Sequence, residues 1–291
     1  MKRSVTVFAL LAIVVTSAAN SYFNSGYAHT FSGDESASFL TTVELMKIEA
    51  KEAQNNLASN LTLAKDHADE LTEHLTANDT KEISERNERV ANDLNKTLAS
   101  FQGTFEGKSA PTQTDVDSQM SQLNDVLGEV VSVRIDKDQM NNNTVKALVV
   151  NDLVGEALEH YGQALGVSEE QNSEESHNET STPHAENSTA NESTHDNQSA
   201  AAETSTLVNQ AAYQSAKAIA ERAAALFGEI KSFIPANSTN LAANISSGFD
   251  ELKSGIDKVE HFDAIDKIVD DKISAGLNEA FNLKLPSEED H

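Results

Sequence analysis

Between Val167 and Thr206 the chain has no aromatic residue, no Lys or Arg, and a single aliphatic side chain larger than alanine, Val167 itself. Asn, Ser, Thr, Glu and His make up most of the rest, and nine of its residues are acidic. Such a stretch has too little apolar surface to offset the entropy of ordering it, so it is expected to be a disordered acidic linker. Whatever folds must therefore lie on either side: 29–166 before it and 207–285 after it, with an acidic tail at 286–291.

Both flanking blocks carry apolar residues at three- and four-residue spacing, the signature of amphipathic helices. Phe39, Val43, Met46, Ala50, Ala53 and Leu57 mark a first helix, and Leu61, Ala64, Ala68, Leu71 and Leu75 a second. A third, opened by an Asp79/Glu82 capping box, is expected to run unbroken through Ile83, Val90, Leu94, Leu98 and Phe101. Thr114 and Asp117 open a fourth. A fifth runs from about Thr144 to Gly166, whose lack of a Cβ suits a helix C-terminus. Beyond the linker, Val208, Ala212, Ile219, Ala223, Leu226 and Ile230 mark an alanine-rich helix. Leu241, Ile245, Phe249, Leu252, Ile256 and Val259 form a coiled-coil-like seam, and Phe262, Ile265, Val269, Ile273, Leu277 and Phe281 mark a last helix. No strand is expected. The fold class is all-α, an up-and-down antiparallel bundle. The last three helices either complete the first bundle or pack as a unit of their own; both arrangements fit the pattern.

The N-terminus reads as an export signal: basic Lys2 and Arg3, an apolar run over Val5–Val15, then small residues. Cleavage after Ala19 or Ala28 fits residues 1–28 as a signal peptide; left uncut, the segment would serve as a short anchor. Either way the body is extracytoplasmic, secreted or at the cell surface. The chain has no cysteine, so its stability must come from helix packing rather than disulfides. Ten Asn-X-Ser/Thr sequons, four of them in the linker, exceed the roughly four that chance gives and point to N-glycosylation. A net charge of −26 disfavours nucleic acid and anionic membranes as partners and favours cations.

No phosphate loop, H-E-x-x-H or G-x-S-x-G occurs, and the chain is read as non-enzymatic. The informative residues are histidines. His67, Glu70 and His74 fall within about 60° of one another on the second helix. Glu156 and His160, four apart on the fifth, flank its core stripe. Imidazoles and a carboxylate on facing helices would make a divalent-metal site for iron, copper or zinc. Histidines half exposed at a helix edge and binding nothing are the plain alternative. His177, His184 and His195 in the linker could collect cations without forming a site.

The H-x-x-E of His67 and Glu70, in a signal-bearing, acidic, all-helical chain, resembles the extracytoplasmic helical domains that accompany iron permeases, the imelysin-like family. There the motif is thought to supply a ligand pair, which the resemblance carries onto His67 and Glu70 alone. The permease's membrane helices and R-E-G-L-E signature are absent. The resemblance therefore implies a metal-binding module for iron or copper handling, partnered with a metal transporter. The competing expectation is a glycosylated cell-surface structural protein that contacts other envelope proteins and holds no metal.

Overall fold

The computed structural model describes residues 32–107, 110–167, 205–235 and 238–283. The signal segment, linker residues 168–204 and the acidic tail lie outside the described residues. Among those described, the protein is all-α, with no strand.

Helix α1 (Gly33–Asn56) opens on a capping box between Ser32 and Glu35, and Asn60 caps α2 (Leu61–Glu73) through the Leu63 amide. The expected third helix is in fact two, α3 (Ala77–Arg86) and α4 (Glu88–Phe105). Asn87 breaks it: its backbone is extended (φ −157°, ψ 95°), and its side chain accepts a hydrogen bond from the Val90 amide, starting α4 afresh. This is the local competition that makes Asn a good cap and a poor helix interior. The capping boxes of α3 and α5 (Gln113–Arg134) are Thr76/Asp79 and Thr112/Asp115, each earlier than the spacing alone suggested. A one-turn helix, α6 (Lys137–Met140), precedes α7 (Asn143–Leu165), which ends at Gly166 in the left-handed region (φ 71°), as its position predicts.

After the linker, α8 (Gln210–Ile230) begins later than expected, leaving Val208 outside it and 67% exposed. Helix α9 (Thr239–Lys258) follows. Then α10 (Phe262–Ile268) passes through a π-helical turn (Val269–Ser274) into α11 (Ala275–Phe281). The seam of α9 is buried at Ile245, Phe249, Leu252 and Ile256. It meets the last helix at very short range: a Cβ on Gly255 would lie 2.3 Å from Ile265 Cδ1, and one on Gly276 would lie 2.6 Å from Ile245 Cγ1. Only glycine allows that approach.

Two apolar cores result. One is shared by α1 to α5; the other joins α7 to α11 with the opposite face of α1, and Leu40 touches both. Helices α4 and α5 pack antiparallel, as do α8 and α9, but α1 and α7 run parallel. Thr41 reaches Asp152, and residues eight further along, Glu49 and His160, again face each other. After the linker, α8 packs on both α7 and α1, and α10 and α11 pack on α7. The backbone on either side of the linker converges too: the Val208 and Asn209 amides both donate to the Ala164 carbonyl. No described helix is long and apolar enough to cross a membrane.

Candidate metal centre

Helices α1, α2 and α7 meet around a buried polar cluster inside this apolar frame. Small residues create the room. Ala50 and Ala53 on α1 and Ala64 and Ala68 on α2 are all buried, so the two backbones approach closely. Glu49 and His67 face each other on the same stripes as those alanines and are themselves fully buried.

The hydrogen bonds fix the state of His67. Its Nδ1 lies 2.7 Å from Glu49 Oε2, a carboxylate oxygen that can only accept. Its Nε2 lies 2.9 Å from Gln214 Oε1 on α8. Asn56 Nδ2 donates to the Glu52 carbonyl (3.0 Å) and to Gln214 Oε1 (2.9 Å), while Asn56 Oδ1 accepts from Gln214 Nε2 (3.2 Å). A backbone carbonyl thus orients both amides and turns the Gln214 oxygen toward His67. Both ring nitrogens donate, so His67 is an imidazolium with no lone pair to offer. Burial opposes that charge, but the bonds to Glu49 and Gln214 outweigh it and hold His67 above its ordinary pKa.

The remaining donors of the cluster are uncommitted. Glu49 Oε1, His74 Nε2 and His160 Nδ1 are buried and have no hydrogen-bond partner. Ligand atoms of Glu49, His74 and His160 all lie within 4.8 Å of one another. Glu49 comes from α1, His74 from the C-cap of α2 and His160 from α7. Burial depresses the pKa of both His74 and His160; each ring also feels another histidine (His160 for His74, His67 for His160), while Glu49 opposes. Both are therefore neutral at neutral pH, the form that coordinates metal.

Glu70 stands at the edge. Its Oε1 is 3.7 Å from His160 Nδ1, too long for a hydrogen bond. Burial, then the nearby Glu49 charge, raise its pKa to about 7. Its side chain is 27% exposed, so it lines the approach from solvent.

Of the residues singled out from sequence, His74 and His160 converge, Glu70 flanks them, and His67 adjoins them with both nitrogens engaged. Glu156, half buried one turn before His160, is outside the cluster; burial and its neighbours Glu159 and Asp152 raise its pKa. Sequence reading missed Glu49, one acidic residue among 47. The available signal was its position, three residues after Met46 and four before Ala53, on the buried stripe of α1. Gln214, an uncharged amide, gave no signal.

No protein-family model matches this chain, and neither a curated protein nor a solved structure matches it.

Proposed function

We propose that this protein is a metal-binding module that takes one divalent transition-metal ion between α1, α2 and α7, with Glu49, His74 and His160 as ligands. One observation carries the reading: Glu49, His74 and His160 bring ligand atoms from three helices to within 4.8 Å of one another, and each of the three residues has a buried side-chain nitrogen or oxygen without a hydrogen-bond partner. Leaving such groups unsatisfied costs ~1–3 kcal/mol apiece, and a cation removes all three costs together. Two imidazoles and one carboxylate suit Zn²⁺ or Fe²⁺, with Cu²⁺ also accepted, and do not suit Ca²⁺ or Mg²⁺. Ligands about 2.0–2.1 Å from a tetrahedral ion stand roughly 3.3 Å apart. Where separations within the 4.8 Å span exceed this, the cluster would contract on binding, and His74, at the end of its helix, is placed to move. The N-terminal Lys2–Val15 pattern supports a location outside the cytoplasm, where the acidic chain attracts cations before one enters the site.

Titration calorimetry of tag-free protein with Zn²⁺ tests this. One equivalent should bind saturably, weaken in acid once pH falls below the ordinary imidazole range, because burial holds His74 and His160 neutral down to lower pH, and raise Tm. His74→Ala with His160→Ala should abolish binding, whereas removing His177, His184 and His195 should not. Binding that survives the first double variant and vanishes with the linker histidines would leave the metal-free surface-protein reading, supported by the ten sequons.

A further inference from the structure

The three donors all precede the linker, yet the hydrogen bonds that aim one of them run through a residue beyond it, Gln214 on α8. We infer that Gln214 is a positioning residue for the metal, acting through His67 to present Glu49 Oε1 to the ion. The inference rests on the metal-binding reading above.

The geometry gives each member of the chain one orientation. The Glu52 carbonyl holds the Asn56 amide, and Asn56 holds the Gln214 amide with its oxygen toward His67. Gln214 Oε1 accepts from His67 Nε2, and His67 Nδ1 donates to Glu49 Oε2. That last bond occupies one oxygen of the carboxylate and leaves Oε1 buried without a partner, on a residue that has a ligand atom within 4.8 Å of His74 and His160. Ser215 Oγ, at 3.5 Å from His67 Nδ1, closes the other side of the ring. Without the Gln214 oxygen, the buried Nε2–H loses its acceptor. The ring is then free to turn, and Glu49 loses its fixed aim. Partners that orient metal ligands in this way are typically worth about 10–100-fold in affinity. Since Gln214 lies on α8, seating α8 against α1 and α2 becomes part of building the metal centre.

The test compares wild type, Gln214→Leu and Gln214→Glu by calorimetry with Zn²⁺ and by the visible absorption of bound Co²⁺. Leu removes the acceptor; Glu retains an acceptor toward His67. Gln214→Leu should weaken Zn²⁺ binding by about tenfold or more and shift the Co²⁺ bands, and Gln214→Glu should restore both. Wild-type affinity with an unchanged Co²⁺ spectrum in Gln214→Leu overturns the inference, as does a Gln214→Glu variant no better than Gln214→Leu. Should Gln214→Leu fail to fold, Asn56→Ala carries the test, because it keeps Gln214 but frees its amide to turn: weaker binding supports the inference and unchanged binding overturns it. Absence of Zn²⁺ binding by the wild type would overturn the metal-binding reading itself, and this inference with it.

Discussion

At the scale of single residues, burial sets the behaviour of the ionisable groups. Asp152 on α7 is held above its ordinary pKa, at about 6, mainly by burial; the Thr41 hydroxyl relieves this in part and Asp34 adds to it. A carboxyl whose folded pKa lies above its unfolded value of 3.8 contributes its full stability below that value and loses it as pH rises through about 6. Asp152→Asn should therefore stabilise the protein by about 1–2 kcal/mol at pH 8, discounted for partial solvation, with the gain fading toward pH 4. Urea unfolding at the two pH values measures it; equal effects at both would show that Asp152 is ionised without penalty. Residue scale is also where sequence reading reached its limit. His74 and His160 could be singled out because imidazole is rare and both flank helical stripes. Glu49 could not be told from its many solvated counterparts, because what distinguishes it is burial against α2, a tertiary fact. The engagement of both His67 nitrogens required a partner 147 residues away, on α8.

At the scale of elements, periodicity was reliable wherever a helix buries one continuous face. The α9 seam, read from spacing alone, is the clearest case. Phe249 is 2% exposed and packs 5.5 Å, centroid to centroid, from Phe227 of α8. Phe249→Ala should cost about 3–5 kcal/mol, the lost transfer energy plus the cavity left between two helices. A loss below about 1 kcal/mol in a denaturant titration would mean that the surroundings collapse into the space or that the seam is not the packing face. Periodicity failed where a polar side chain competes for the backbone. The apolar positions of α3 and α4 continue in phase across Asn87, so the pattern reads through a break that only the cap reveals. It also placed Val208 on a helix that starts after it, because Asn209 takes the cap position and donates no turn to the residue before. The π-helical turn at Val269–Ser274 leaves the inward set Ile265, Val269, Ile273 and Leu277 buried, and nothing in that spacing announces it.

At the scale of the whole molecule, α1 is the shared wall of two cores, and the candidate metal centre sits where α1 meets α2 and α7, under α8. The all-α class was legible because every folded segment carries helical spacing and none alternates. The arrangement was not, because helix faces do not name their partners; that α1 and α7 run parallel emerges only from contacts such as Thr41 with Asp152. The close return of the chain at Ala164 and Val208 makes a further prediction. Replacing 168–204 with a short Gly/Ser linker should leave helix content, Tm and Zn²⁺ affinity within error of wild type, since the ends it joins are already neighbours. A large drop in Tm by circular dichroism would show that the deleted segment packs on the bundle.

The central claim is that three helices hold one metal ion through Glu49, His74 and His160. Diffraction from crystals grown with Zn²⁺, recorded on both sides of the zinc absorption edge, tests it most directly. The account predicts one strong anomalous peak in the buried cluster, about 2.0–2.2 Å from Glu49 Oε1, His74 Nε2 and His160 Nδ1, with His67 still bonded to Glu49 and Gln214. Anomalous density confined to surface carboxylates, with those three donors still apart, would contradict it.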